Sequence, residues 1–308
     1  MTVVTAAAHP NIALVKYWGK ADVAANLPAV PSLSLTLDTF LTRTTVRWSA
    51  ARDEVLLDDQ PASEAFTRRT LRFLDRLAPD RPPCAVHTAN SFPTGAGLAS
   101  SASGFAALTL AASAAAGLDL DLTALSALAR QGSGSACRSL YGGLVRWDST
   151  HAEPVLPPEA WPELRMVVAV VRSSAKDVGS TEGMERSRLT SPYYDAWVKT
   201  APADVTAALQ AIERRDLPAL GAIMEASTFK MHAVMHTSVP PIVYWAPETV
   251  AILHCVQKLS TAWLTMDAGP NVKILTTAAH AAQVADAVRP HCEAVWVLGA
   301  GRGAWLES

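Results

Sequence analysis

The stretch Asn90 to Ala112, NSFPTGAGLASSASGFAALTLAA, constrains the fold more than any other part of the chain, because a glycine-rich loop runs straight into a helix of small residues. Gly95 and Gly97 permit positive φ and a close backbone approach, and the first helical turn leaves its N–H groups unpaired. Such a junction attracts an anion through those N–H groups and the helix dipole. Ser100 and Ser101 can cap the helix and also offer hydroxyls to a phosphate or a magnesium ion. The same residues describe equally well an ordinary capped helix after a turn. The stretch is not a Walker A loop, since no Gly-Lys-Ser/Thr follows, and its glycine spacing fails G-x-G-x-x-G.

Half of the 308 residues are apolar, enough for one large core or two of ordinary size without covalent staples. The 26 basic and 28 acidic residues leave a formal charge of −2, whereas a general binder of nucleic acid or of an acidic membrane needs a net basic face. Cys84, Cys137, Cys255 and Cys292 are too far apart for C-x-x-C motifs and read as reduced thiols of a cytosolic protein. The start, MTVVTAAAHPNIALVKYW, lacks a basic segment before an apolar core, and no segment reaches about 18 uninterrupted apolar residues, so a cytoplasmic location off the membrane is expected.

Residues 3–8 and 12–17 read as extended, broken by His9-Pro10-Asn11. Residues 32–37 and 42–48 alternate with period two, as strands of a half-exposed antiparallel sheet do. Helical spacing follows in 63–77, through Phe66, Leu71, Leu74 and Leu77. A short strand at 84–88 then leads into the glycine loop and its helix, which Gly117 ends. A second helix starts at Asp121 and breaks at Gly132-Ser133-Gly134-Ser135. Strands are expected at 143–147 and 164–171, separated by the proline-rich 154–162. The character changes near residue 172, where a soft boundary divides the chain into 1–172 and 173–308. Residues 173–183 have the composition of a mobile loop, and helices are expected at 192–200, 202–215, 217–236 and 247–259. Strands at 262–266, 272–275 and 294–298 and a helix at 276–288 complete the reading.

With only 18% of the chain charged, few residues can carry chemistry. Lys16 and Lys20 flank Tyr17 and Trp18, as solvated surface charges or as the wall of an anion pocket. Arg138, after the Gly-Ser-Gly-Ser loop, suits either a surface ion pair or a bidentate grip on a carboxylate. Asp267, before Ala-Gly-Pro-Asn, is a turn former or a charged group at a strand end facing a cleft. Among the histidines only His232 and His236 stand at i, i+4, without the glutamate of H-E-x-x-H, and a structural role is expected for both. No Gly-x-Ser-x-Gly elbow has a strand before it and a helix after it.

Five segments in this order, HPNIALVKYWGK, NSFPTGAGLASSASGFAAL, ARQGSGSACRSLYGG, VGSTEGM and MDAGPN, resemble the signature segments of the mevalonate diphosphate decarboxylases, a branch of the GHMP kinase superfamily. They run from residue 9 to residue 271 and so cover most of the chain. The resemblance implies an α/β fold of GHMP kinase type. Its N-terminal part would be like domain 2 of ribosomal protein S5, its C-terminal part α/β, and its active site in the cleft between. It also implies ATP-dependent phosphorylation of the 3-hydroxyl of mevalonate 5-diphosphate, then loss of phosphate and CO2 to give isopentenyl diphosphate.

By the same resemblance Asp267 is the carboxylate beside the 3-hydroxyl, Lys16 the neighbouring cation and Arg138 the holder of the substrate carboxylate. Tyr17, Lys20, Ser133, Gly134 and Ser135 would hold the 5-phosphate end; which arginine of the 63–77 helix joins them is left open, with Arg69 the candidate. Pro93, Gly95, Ala96, Gly97, Ser100 and Ser101 would cradle ATP, Ser180 would close over its γ-phosphate, and Ser101 would reach the magnesium ion. A homodimer is implied as well. Two departures bear on the substrate. Val30-Pro31-Ser32 replaces an Asn-Ser-Ser of several relatives, and Thr181 stands where some bacterial relatives carry arginine. They leave mevalonate 5-phosphate open as substrate. A mevalonate 3-kinase lacks the full Asp, Lys and Arg set, which is present here. A plain small-molecule kinase and a non-catalytic nucleotide-binding protein are the competing readings.

Overall fold

Period-two alternation becomes visible structure at residues 42–48, where Thr42, Thr44, Val46 and Trp48 turn inward while Arg43 and Arg47 face water. The computed structural model describes residues 3–92, 100–172 and 178–307. In chain order the first half comprises β1 (Val3–Ala8), β2 (Asn11–Val15), β3 (Lys20–Asp22), β4 (Leu27–Pro28), β5 (Ser32–Thr36), β6 (Thr42–Trp48), β7 (Glu54–Leu57), β8 (Gln60–Pro61), α1 (Glu64–Leu77), β9 (Cys84–Asn90), α2 (Ser100–Ala115), α3 (Leu122–Gly132), α4 (Ala136–Ser139), β10 (Leu144–Trp147) and β11 (Ala152–Leu156). The second half follows with β12 (Leu164–Val170), α5 (Ser180–Thr190), α6 (Tyr194–Glu213), α7 (Leu217–His236), α8 (Pro247–Val256), β13 (Trp263–Met266), β14 (Val272–Thr277), α9 (Ala281–Val288), β15 (Ala294–Leu298) and β16 (Trp305–Glu307).

Three sheets organise these elements. The first has the order β16-β1-β6-β9-β7-β8, the second β11-β10-β5-β2 and the third β13-β14-β12-β15, and β3 and β4 form a separate ribbon. Only β7 with β9 is parallel among the recorded pairs. β12, N-terminal to residue 172, pairs with β14 and β15 in the third sheet, whereas the tail strand β16 returns to pair with β1. Helix α2 is apolar on all sides, as a helix buried on all sides must be. Its Ala106, Ala107, Ala111 and Ala112 are fully buried, and side chains this small let the helix lie close against the first sheet.

Several sequence expectations need correction. The alternation at 32–37 suggests a half-exposed strand, yet every residue of β5 is buried, because helices α4 and α6 both pack against it. Two of its polar side chains meet polar partners instead: the Thr36 hydroxyl donates to the Tyr141 carbonyl at 2.9 Å and the Ser32 hydroxyl accepts from Arg138 at 2.7 Å. The strand expected at 12–17 ends at Val15. The two helices expected at 192–200 and 202–215 are one, α6, which runs through Pro202. Proline removes one hydrogen bond there, and the packing of buried Ala201, Val205 and Ala208 outweighs it. The helix expected at 276–288 begins at Ala281, because β14 continues to Thr277. Residues 180–183 of the expected loop are the first turn of α5, and 173–177 lie outside the described residues. β16 was not anticipated, since Trp305–Glu307 is too short to show a period.

The return of the tail depends on Gly143. Its N–H donates to the Gly301 carbonyl at 2.9 Å and its carbonyl accepts from the Thr36 N–H at 2.9 Å. Its φ is +68°, and a Cβ there would strike the Leu156 carbonyl oxygen. Left-handed strain and a backbone collision that no rotamer relieves act together. Gly143→Ala is therefore expected to destabilise the protein by on the order of 2 kcal/mol. Urea unfolding would show a lowered midpoint with an unchanged slope.

Candidate active site

A cleft of about 1000 Å³ opens between the first half and the second and is walled by residues of both. Its floor holds Lys16, just past the end of β2, and Asp267, just past β13. The Lys16 ammonium donates to Asp267 Oδ1 at 2.6 Å. Lys16 is 1% exposed, and a third of the Asp267 side chain faces the cleft. The Lys16 backbone is fixed as well, its N–H donating to Ser227 Oγ on α7 at 3.0 Å.

A second ammonium reaches the same carboxylate. Lys273 Nζ, on β14, lies 3.4 Å from Asp267 Oδ2. Burial alone would push the Asp267 carboxyl up, but Lys16 and Lys273 together hold it well below the usual carboxylate range. Lys16 moves the other way. Burial, with the like charges of Lys273 and Arg138, lowers it to about 8 against the attraction of Asp267. His232 on α7 faces the pair as a neutral imidazole, pushed down to about 3 by burial, Lys16 and His236. Its Nδ1 accepts from the Trp245 indole at 2.9 Å, which puts the ring proton on Nε2.

Arg138 on α4 is 2% exposed and also lines the cleft. Its Nε donates to Asn11 Oδ1 at 3.1 Å and its Nη1 to Ser32 Oγ at 2.7 Å. Among the described residues no carboxylate lies within ion-pairing distance of it. A buried guanidinium with only neutral partners is costly unless a ligand brings the anion.

Most of the remaining expected positions gather around the same cleft. Tyr17 packs edge-on against Trp147 at 4.7 Å, and its buried hydroxyl has no hydrogen-bond partner among the described residues. Lys20 opens β3, lowered from the ordinary lysine range by burial and by Arg69. Ser133, Gly134 and Ser135 join α3 to α4 along the wall. Gly134 is required there, because a Cβ would come within 2.9 Å of the Trp147 ring. Ser101 in the first turn of α2 and Ser180 in that of α5 also line the cleft. Arg69 lines it too, but its Nε and Nη2 both donate to the Gly132 carbonyl, at 3.1 and 2.8 Å, and its guanidinium stacks on Phe105 at 4.5 Å. It braces the loop more directly than it offers free donors. Ser100 borders a smaller pocket of about 180 Å³ between the β6–β9 pair and helices α1 and α2. Pro93, Gly95, Ala96 and Gly97 lie outside the described residues.

Sequence reasoning missed Asn11, Ser32, Lys273, Arg72 and Arg76. Lys273 carried a usable signal, a lone charge inside the apolar run Val272–Leu275. Arg72 and Arg76, on the cleft side of α1, have no ion-pair partner among the described residues. No group of three histidine, cysteine or acidic side chains fit for a metal occurs among the described residues.

Residues 8–154 match the Diphosphomevalonate decarboxylase-like N-terminal domain, and residues 166–296 match the Mevalonate 5-diphosphate decarboxylase C-terminal domain. The chain belongs to the diphosphomevalonate decarboxylase family. Diphosphomevalonate decarboxylase mvd1 of Aspergillus fumigatus is 38% identical over 305 residues, 88% of this chain and 76% of that protein. A structure of mevalonate diphosphate decarboxylase from Staphylococcus aureus is similar with a TM-score of 0.94 at 33% identity, covering 100% of this chain and 98% of that one. A structure of MDDEF in complex with MVAPP, AMPPCP and magnesium reaches a TM-score of 0.93 at 37% identity, covering 100% of this chain and 99% of that one. The fold is thus the GHMP kinase fold shared by this decarboxylase family. No helix among the described residues is long and apolar enough to cross a membrane.

The coupling on the cleft floor can be measured directly. An NMR titration of the lysine side chains is expected to show Lys16 titrating near 8. Asp267→Asn removes the charge that raises Lys16 and should move that titration to lower pH; an upward or absent shift would contradict the ion pair.

Proposed function

We propose that this protein is an ATP-dependent decarboxylase. It phosphorylates the 3-hydroxyl of mevalonate 5-diphosphate, and the 3-phospho intermediate then loses phosphate and CO2 to give isopentenyl diphosphate. One observation carries the reading. The Lys16–Asp267 pair and the buried Arg138, which has no acidic partner among the described residues, share one cleft.

Asp267 stands beside the 3-hydroxyl, which it orients and whose proton it accepts as the O–P bond forms. Its low basicity suits a transition state in which O–P bond formation lags behind breaking of the bond to ADP. Lys16 offsets the charge gathering on the transferred phosphoryl group. Arg138 binds the substrate carboxylate with donors that Asn11 and Ser32 leave free. Departure of the 3-phosphate makes C3 electron-poor, beside the carbon that bears the carboxylate, and the electron pair of the bond to the carboxylate moves into the new double bond between those two carbons as CO2 leaves. The reaction therefore needs no electron-sink cofactor.

Lys20, Tyr17, Ser133, Gly134 and Ser135 hold the 5-diphosphate, and Arg72 and Arg76 add unpaired positive charge on the same wall. This surplus favours the diphosphate over mevalonate 5-phosphate. On the nucleotide side, the phosphates meet the first turn of α2, with Ser100 and Ser101, and the glycine-rich sequence with Pro93, Gly95, Ala96 and Gly97 is assigned to the same ligand. Ser180 covers the γ-phosphate, and the base enters the smaller pocket beside Phe66 and Phe105. The Ser101 hydroxyl would help hold magnesium, a hard cation that takes oxygen ligands, and the ion would supply neutralisation of phosphate charge. The residues 1–172 and 173–308 form the two lobes apart from the exchanged strands β12 and β16. Balanced charge and widely spaced cysteines support a cytoplasmic enzyme, and family membership supports a homodimer.

Incubation with mevalonate 5-diphosphate, ATP and magnesium is expected to release one CO2 and one phosphate per ADP. Phosphorylated product without CO2 would instead mark a 3-kinase, and higher kcat/KM on the monophosphate would reverse the substrate preference. Arg138→Gln should lose about 2 kcal/mol or more of transition-state stabilisation, roughly a thirtyfold fall in kcat/KM. A kinase indifferent to the carboxylate would barely respond. Arg72→Gln is expected to raise KM for the diphosphate by roughly tenfold, the size of one charge-assisted contact, and to change KM for the monophosphate little.

A further inference from the structure

We infer that Lys273 is a positioning residue for Asp267: it holds the second carboxylate oxygen, so that Lys16 can turn to the phosphoryl group without leaving Asp267 an unpaired charge. The inference rests on the roles proposed above for Asp267 and Lys16.

The location of Lys273 is unusual for a lysine. It is 1% exposed and sits in β14 between fully buried Val272 and Ile274. Burying an ammonium in an apolar strand is expensive unless an opposite charge and acceptors meet it. Both are present, for Nζ lies 3.4 Å from Asp267 Oδ2 and donates to the Asn271 carbonyl at 3.3 Å. The hairpin makes the contact possible. Thr265 pairs with Lys273 and Met266 with Val272, so the turn containing Asp267 begins and ends beside the lysine.

The two lysines are not equivalent. Lys16 makes the short hydrogen bond, at 2.6 Å, and Lys273 the looser contact, at 3.4 Å. With Lys16 alone, the ammonium would have to serve both Asp267 and the incoming phosphoryl group, and turning to one would strand the other. With Lys273 in place, Asp267 remains neutralised while Lys16 shifts its hydrogen bond. The charged and titratable groups that act on the pair are Lys273 from β14, Arg138 from α4 and His232 from α7, the last neutral. Removal of Lys273 takes a cation away from both members. Asp267 and Lys16 then both titrate at higher pH.

The test uses the full chain with mevalonate 5-diphosphate, ATP and magnesium across pH, comparing wild type with Lys273→Met and Lys273→Arg. Wild-type release of CO2 supports the underlying reading, and its absence would sink that reading rather than this one alone. Given that activity, Lys273→Met is expected to lower kcat at least about tenfold with substrate KM within about twofold. The alkaline limb of kcat/KM should rise by about half a unit or more, and Lys273→Arg should restore most of both. A raised KM with unchanged kcat would make Lys273 a direct phosphate ligand and overturn the proposal. Equal loss in both variants with an unmoved limb would do the same, since a purely structural role leaves the limb in place. If Lys273→Met does not fold, Lys273→Gln carries the same expectations. Failure of both to fold while Lys273→Arg folds would make the residue a folding determinant and end the inference.

Discussion

The contact between Lys16 and Asp267 depends on the whole chain, since its partners are 251 residues apart in sequence. Neither charge tolerates burial alone. Lys16 directly follows a strand of the second sheet and Asp267 directly follows a strand of the third, so the pair forms only when the two sheets have come together. The segment around Lys16 is tied to the second half at further points. The Trp18 indole donates to Ser187 on α5 at 3.0 Å, and the Trp197 indole on α6 donates to the Trp18 carbonyl at 2.8 Å. The seam of the fold and the floor of the cleft are therefore one structure, and what orders the active site also joins the two halves.

That seam is electrostatically unbalanced. A net charge of −2 describes the whole chain, while the cleft gathers Lys16, Lys20, Arg72, Arg138 and Lys273 around Asp267. In a site shielded from water, like charges repel more strongly than on a surface, and Lys273 and Arg138 add to the burial that chiefly lowers Lys16. A ligand rich in phosphate and carboxylate relieves this repulsion as it enters. Composition averages over the chain and cannot reveal such a concentration. The order of motifs can.

Many residues lining the cleft were legible because they lie in contiguous motifs: Lys16 and Lys20 in one, Ser133 to Arg138 in another. The fold was legible where a single face is buried, as in Thr42–Trp48. It was least legible where tertiary contacts override local pattern. β5 alternates like a surface strand and is wholly buried, with Ser32 and Thr36 meeting polar partners rather than water. Pro202 looks like a break and is absorbed by packing. Lys273 and Asn11 act through residues far away in sequence, so spacing alone could not join them to Asp267 and Arg138. Arg69 shows the reverse. Its position on α1 suggested substrate, whereas its donors serve the Gly132 carbonyl.

The different settings of the two basic groups give the proposed reaction its direction. In that proposed reaction negative charge would begin on the substrate carboxylate at Arg138 and end on the departing phosphate near Lys16. Each cation must suit one end of that path. Arg138 gives up its anionic partner when CO2 forms, so a permanent acidic neighbour would hold it in an ion pair and weaken its grip on the carboxylate from the start. Asn11 and Ser32 are neutral, and they keep the guanidinium oriented and partly satisfied both before and after CO2 leaves. Lys16 faces the opposite change, gaining a stronger anion as phosphate departs, and so its resting partner must be one it can leave. Asp267 meets that condition only because a second ammonium already holds it. The neutral support of Arg138 and the doubled support of Asp267 thus answer the same requirement, that charge cross the site without any buried group being left alone.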